Sequence, residues 1–226
     1  MGAASVSVVI PTLNEELNLP DVLSRIPAGV AEVIVVDGNS TDRTVEVARR
    51  MRPDAVIVMQ QGKGKGNALT TGFWSATGEI IVMLDADGST DPAEIPRFVA
   101  ALLAGADFAK GSRFLAGGGS ADITPLRRLG NKALARTVNS LWNVQYSDLC
   151  YGYNAFWRRC LPLISPDSRG FEVETLMNIR AARADLKIYE VPSYEHERQH
   201  GVSNLNARKD GIRVARTILA ERLRPS

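Results

Sequence analysis

Histidine and cysteine are scarce in this chain of 226 residues: it has only Cys150, Cys160, His196 and His200. Two cysteines are too few for a disulfide framework and match no metal-ligand spacing, so reduced, buried thiols are expected. The histidines have the spacing of helical ligands, but Gly201 and polar neighbours place them in a solvated loop. Long apolar runs are missing too. No stretch approaches the roughly 18 apolar residues of a membrane span. The apolar run at 6–10 stops at Pro11 with no basic segment before it, which excludes a signal peptide. The chain is therefore expected to be cytoplasmic or to lie on the inner face of a membrane. Net charge is almost absent: 27 Lys and Arg against 25 Asp and Glu leave +2, too little to point to nucleic acid.

What is present fits a globular protein. Apolar residues make up 45% of the chain, enough to fill a core. The length suits one domain over residues 1–226, and neither internal repeats nor a linker interrupts it. The charges are polarised. Acidic motifs come first, whereas Lys110, Arg113, Arg127, Arg128, Lys132 and Arg136 face a single acid, Asp122, and the segment from Arg208 onward is basic again.

The first hundred residues alternate short apolar runs with helical stretches. Runs at 6–10, 33–36, 55–59 and 80–84 read as buried strands, with helices at 14–26, 41–51 and about 68–76 between them. Fully apolar strands separated by helices imply an α/β fold with a mostly parallel sheet covered on both faces. In such sheets ligands sit beyond the carboxyl ends of the strands. Further on, a helix at 95–103, a strand near Phe108, a flexible glycine loop at 117–119 and a helix at 125–142 are expected. A strand at 153–157, a helix at 171–184, a strand at 187–191 and a closing helix at 212–223 follow.

The polar residues that matter stand at the strand ends. Asp85 and Asp87 follow the fourth strand, where two carboxylates can reach one hard cation and Ser89 can add an oxygen. A divalent metal there, Mg or Mn, would neutralise a departing diphosphate. Asp85-Ala86-Asp87-Gly88 also suits a plain polar turn. Asp37 ends the second strand, where an acid can accept hydrogen bonds from a nucleobase, while Ser40, Thr41 and Asp42 suit helix capping. Glu15 fits a base or ribose contact and equally a helix-start acid. Gly62-Lys63-Gly64-Lys65-Gly66-Asn67 has the make-up of a phosphate cradle or of a mobile basic loop, and lacks Walker A spacing.

Taken together, Val8-Val9-Ile10-Pro11-Thr12-Leu13-Asn14-Glu15, Val35-Val36-Asp37-Gly38-Asn39-Ser40-Thr41-Asp42, Gly64-Lys65-Gly66-Asn67 and Leu84-Asp85-Ala86-Asp87 resemble family 2 glycosyltransferases. Within that family the sequence is most similar to dolichol-phosphate mannosyltransferases and polyprenyl-phosphate sugar transferases. The resemblance runs on through Gly111-Ser112-Arg113-Phe114, Gly170-Phe171-Glu172-Val173-Glu174 and Glu190-Val191-Pro192 to Ser203-Asn204. It implies a GT-A, Rossmann-like fold: a donor half over about 1–105, and an acceptor-side extension over about 106–226. It implies an inverting transfer from a nucleotide diphosphate sugar, UDP- or GDP-linked, with donor contacts at Pro11, Glu15, Asp37, Lys65 and Asp85. The metal would lie at Asp85, Asp87 and Ser89, and Arg198 and Ser203 would close over the diphosphate. Arg113, Arg127, Arg128 and Asn131 would line the acceptor phosphate site, with Asp87 and Arg113 central to catalysis.

This chain departs from relatives at several points. Gly38 stands where many have a second acid, Asn154 where an arginine is common, and Ser203-Asn204-Leu205 where serine-lysine-leucine is frequent. Three activities remain open: transfer to a polyprenyl phosphate, transfer to a soluble hydroxyl acceptor, or nucleotide-sugar binding without catalysis. A phosphate acceptor is already ionised and needs no base, whereas a hydroxyl needs one, for which Asp148 is the candidate. The helix at 125–142 mixes leucines with arginines, a pattern that suits peripheral membrane contact. The closing helix shows the same mixture, but there packing of the apolar residues onto the sheet is expected.

Overall fold

The computed structural model describes residues 4–168, 170–201 and 207–224. Seven strands form the central sheet: β1 (Val6–Thr12), β2 (Glu32–Asp37), β3 (Val56–Met59), β4 (Ile80–Met83), β5 (Phe108–Ser112), β7 (Asn154–Trp157) and β8 (Ile188–Pro192). Their order is β3-β2-β1-β4-β7-β5-β8. Every neighbouring pair is parallel except those of β7, which runs antiparallel between β4 and β5. A separate pair, β6 (Gly119–Ser120) and β9 (Tyr194–Glu195), ties the loop after β5 to the end of the sheet. This is the mostly parallel, helix-flanked GT-A architecture that the alternating pattern and the family resemblance imply.

The sheet is covered on both faces because its strands are apolar on both. Val8 and Ile10 of β1 pack with α1 (Leu19–Ser24), α2 (Thr44–Met51) and α4 (Ile95–Leu103), and Val9 packs on the other side. There it meets Leu69 and Phe73 of α3 (Lys65–Ser75) and Met177 of α7 (Val173–Arg183). Each such side chain, fully buried, contributes about 1.5–3 kcal/mol relative to exposure. A third cluster joins α5 (Pro125–Trp142), α7 and α8 (Ala207–Leu223) through Ala135, Val138, Ile179, Val214 and Ile218. The remaining helix, α6 (Leu161–Ile164), is a single turn.

Several boundaries differ from expectation for local reasons. The first helix begins at Leu19 instead of residue 14, because Asn14 takes a left-handed φ of 57° and residues 15–18 form a turn. Helix α3 starts earlier than expected, at Lys65, directly after Gly64 with its φ of 88°. Lys65 is thus a helix-terminal side chain and not part of an open loop. Strand β3 lies at the sheet edge, which leaves Val56 and Met59 exposed rather than buried. Part of the expected glycine loop is recruited into β6. Both cysteines are free, Cys160 buried and Cys150 half-buried.

Candidate active site

The loops after β1 and β2 hold each other. Asn14 N–H donates to Ser40 Oγ at 2.9 Å, and Asn14 Oδ1 accepts from the Thr41 N–H at 2.8 Å. Glu15 N–H donates to Thr44 Oγ1, and Glu16 N–H to Asp42. Asp42 in turn accepts from the Thr44 N–H, which caps α2. These residues build the rim of a cleft and are consumed in doing so. Asp37, at the end of β2, is buried. Its Oδ2 accepts from the Ser40 N–H at 2.9 Å, and its Oδ1 has no partner. Thr12, Gly38 and Gln60, close to it in the fold, line a cavity of about 450 Å³ at the carboxyl ends of β1 to β4. Pro11 and Glu15 line it as well.

A second cavity, about 650 Å³, lies on the side of α5 and α8. The two share Lys65, Asp85, Asp87, Phe171 and Arg198. The acidic turn after β4 therefore stands at the meeting point of two spaces, each of a size to take a ligand.

Both carboxylates of that turn are held by cations. Lys65 Nζ lies 2.5 Å from Asp85 Oδ1 and 2.7 Å from Glu174 Oε1. Burial alone would lower the Lys65 pKa, but the two carboxylates raise it well above its ordinary value, so the ammonium stays charged. Burial pushes the Glu174 carboxyl up, partly offset by Lys65. A Cβ on Gly152 would come within 3.0 Å of Asp85 Oδ2 and 3.1 Å of Lys65 Nζ, so this cluster depends on a glycine at that position. Arg198 forms the matching arrangement on the other side: it grips Glu15 at 2.9 and 3.3 Å and reaches Asp87 Oδ2 at 3.4 Å. Glu15 also accepts from Asn18 Nδ2 at 2.6 Å, and burial raises its pKa against these contacts.

Three of the expected residues are taken up by other contacts. Asp148, the candidate base, is fully buried, lines neither cavity and is bound by Arg113 at 2.7 and 3.0 Å. Burial would raise its pKa, but Arg113 holds it below the usual carboxylate value. Ser89 lines the larger cavity and turns its hydroxyl onto Asp87 Oδ1 at 2.6 Å, so it orients that carboxylate. Arg128 lines neither cavity; its guanidinium lies 5.4 Å from the centre of the Phe114 ring.

The other expected acceptor residues do meet at the larger cavity. Arg113 borders it, although Asp148 and Glu195 take most of its N–H groups. Arg127 borders it while paired with the exposed Asp122 at 2.7 Å. Asn131 is buried, and its Oδ1 accepts from the Leu149 and Cys150 N–H groups. That fixes the amide and leaves Nδ2 without a partner at the cavity wall. Ser203 lies outside the described residues.

Residues 7–161 match the sequence model of glycosyl transferase family 2. The chain belongs to this family. It is a glycosyltransferase, similar over most of its length to enzymes that act on lipid phosphates. It is 36% identical to the polyprenol monophosphomannose synthase of Mycolicibacterium smegmatis, over 95% of this chain and 85% of that protein. It is 33% identical to the dolichol-phosphate mannosyltransferase of Pyrococcus furiosus, over 90% of this chain but 60% of that longer protein. The fold is also that of a Mycobacterium tuberculosis glucosyl-3-phosphoglycerate synthase solved with Mn2+, UDP-glucose and phosphoglyceric acid. That match has a TM-score of 0.77 and 26% identity, and covers 99% of this chain and 81% of the other.

A divalent cation fits the donor chemistry of this family 2 site. Asp85 and Asp87 are partly exposed where the cavities meet, and both are acid oxygens suited to Mg or Mn. Among the described residues no cluster of three His, Cys, Asp or Glu stands ready to hold a metal alone. A cation such as Mg is commonly held by one or two carboxylates and completed by substrate phosphates. The residues that sequence reasoning missed are Glu174 and Glu195. Glu195 stands among polar and charged residues, Ser193, His196 and Glu197, where one more acid is inconspicuous. The available signal was a glutamate inside α7, where Val173, Thr175, Leu176 and Met177 around it are all buried.

Proposed function

We propose that the chain moves a sugar from a UDP- or GDP-linked donor to a polyprenyl phosphate, in a metal-assisted single displacement that inverts the anomeric centre. The observation that carries the acceptor assignment is the two-part lining of the larger cavity. Its floor is charged, at Asp85, Asp87, Arg113 and Arg198, and its wall is aliphatic, at Ile123, Leu126, Leu134 and Val214. Leu126 is 64% exposed, so the apolar wall reaches the surface. A phosphate with a hydrocarbon tail matches that pairing, whereas a sugar hydroxyl acceptor would leave the wall unused. The names of the mycobacterial and archaeal relatives point the same way.

In this reading residues up to about 105 hold the donor and those from about 106 the acceptor. The base packs beside Asp37, whose free Oδ1 accepts a nucleobase N–H, with Pro11 and Glu15 alongside. Asp85 and Asp87 would hold the cation, which when bound would supply Lewis-acid charge neutralisation to the leaving diphosphate. Lys65 fixes Asp85 in place. Arg198, which reaches both Glu15 and Asp87, closes over the diphosphate. Arg127, the remaining N–H of Arg113 and Asn131 Nδ2 orient the acceptor phosphate. That phosphate is ionised before it attacks and needs no base, which suits a site whose one candidate base, Asp148, is sealed off.

A second reading, transfer to a small soluble acceptor, draws on the solved relative that holds phosphoglyceric acid. The two separate in one experiment: incubate UDP- and GDP-sugars with Mg or Mn and either a short polyprenyl phosphate in detergent or phosphorylated small acids. Lipid-linked product is expected. Product on the soluble acceptors alone would overturn the proposal.

A further inference from the structure

We propose that α5 and α8 together form the surface by which this protein docks on an anionic lipid bilayer, with the mouth of the larger cavity turned toward the lipid. The inference rests on the lipid-phosphate reading for its purpose, but its observations are independent of it. The two helices pack against each other, and both line that cavity, α5 through Leu126 and Leu134, α8 through Val214.

Helix α8 does not spend its apolar residues on the core, as its sequence pattern leads one to expect. Only Val214 and Ile218 turn inward, while Ile212, Leu219 and Leu223 are 55%, 60% and 75% exposed. Helix α5 adds Leu126, Leu129 and Leu141, the first two about as exposed. Leucines left this open to water are costly unless something covers them.

The charge on the two helices is of one sign. Helix α5 contains no acid at all, and exposes Arg128, Lys132 and Arg136. Helix α8 has two acids, Asp210 and Glu221, and both are buried at 7% and 6% exposure. Glu221 is engaged inward by Arg180 and Arg183. The outward side chains of α8 are therefore the apolar residues with Arg213, Arg216 and Arg222. Exposed acids beside the two helices are already paired, Asp122 with Arg127 and Asp167 with Arg180 and Arg224. A surface of leucines and cations whose neighbouring exposed acids are paired complements anionic headgroups and the acyl region just beneath them. Against a second copy of itself the same face would bring like charges together. Among the described residues no helix is long and apolar enough to span the bilayer, so contact would be peripheral.

The test is co-sedimentation of the full chain with vesicles of phosphatidylcholine alone and of phosphatidylcholine mixed with phosphatidylglycerol, at low and high salt. Binding is expected to the mixed vesicles only and to weaken with salt. Lys132→Glu with Arg216→Glu should reduce it by about tenfold or more, and Leu129→Ser with Leu219→Ser should reduce it at both salt levels. None of these four residues lines either cavity, so transfer to a short polyprenyl phosphate in detergent should stay at the wild-type level. Failure of the wild type to bind mixed vesicles overturns the docking surface, even if the detergent assay succeeds. Vesicle binding without lipid-linked product leaves the surface standing and removes the acceptor assignment instead. A stable dimer in solution, dissolved by the two serine substitutions, would mean that a second copy covers this face and would also overturn the proposal.

Discussion

Asp37 carries a buried carboxylate oxygen without a partner; it does not itself line the smaller cavity, but its neighbours Thr12, Gly38 and Gln60 do. An unmet buried acceptor is costly, and a ligand N–H that meets it gains accordingly. Asp37→Asn is expected to weaken UDP or GDP binding by roughly 10- to 100-fold, the range for hydrogen bonds to charged groups. Calorimetry giving equal affinity for wild type and variant would remove Asp37 from the base site. Asp148 makes the opposite case, a carboxylate fully spent on structure. Arg113 holds its folded-state pKa below the ordinary 3.8, in spite of burial. Its stabilising contribution is thus fully present above about pH 3.8 and is lost as pH falls through the lower folded value. Asp148→Asn should cost about 3–5 kcal/mol at neutral pH, because it leaves a buried guanidinium half-paired. The gap between variant and wild type should narrow in melts run below pH 3.8. Lost turnover with unchanged melting would instead restore Asp148 as a base.

Helix α7 is the element whose role was hardest to read. Burial on nearly all sides hides Glu174, yet this residue shares the Lys65 ammonium with Asp85. Without the Glu174 charge, Lys65 should sit more tightly on Asp85 and leave it less available to a cation. Glu174→Gln is therefore expected to weaken Mn2+ binding in the presence of UDP, followed by electron paramagnetic resonance. Unchanged Mn2+ affinity would separate Glu174 from the metal site. The elements themselves were largely legible. The four apolar runs before residue 85 gave the parallel strands, because two-sided burial leaves no polar alternation, and α5 fell on its expected range. The start of α1 was not legible, since a left-handed Asn14 looks like any helix-start residue. The direction of β7 was not legible either, because apolar composition marks a strand without its orientation. In the site, the acidic turn and Asp37 were visible from their strand ends. The fate of Arg113, Asp148 and Ser89 depended on contacts between distant segments, which spacing does not encode.

For the molecule as a whole, the two cavities meet at Asp85 and Asp87, where the proposed cation would be held. Asp87→Ala is expected to lower turnover by about 100-fold or more, since charge stabilisation by a metal is worth several kcal/mol, with the melting temperature kept. A chelator should do the same to the wild type, and full activity under chelation would exclude a metal role. The inserted strand β7 has a consequence for how the chain is made. Its partner β4 pairs Ile80 with Trp157, far along the sequence. As the chain leaves the ribosome, β1 to β4 can assemble early, but the outer edge of β4 stays open until β7 has emerged. At about 5–20 residues per second that interval is on the order of ten seconds. For that time an apolar strand, which will end at the centre of the seven-stranded sheet, is a template for any other nascent chain. The pairing that closes the middle of the sheet is thus also an interval in which its synthesis is exposed to aggregation.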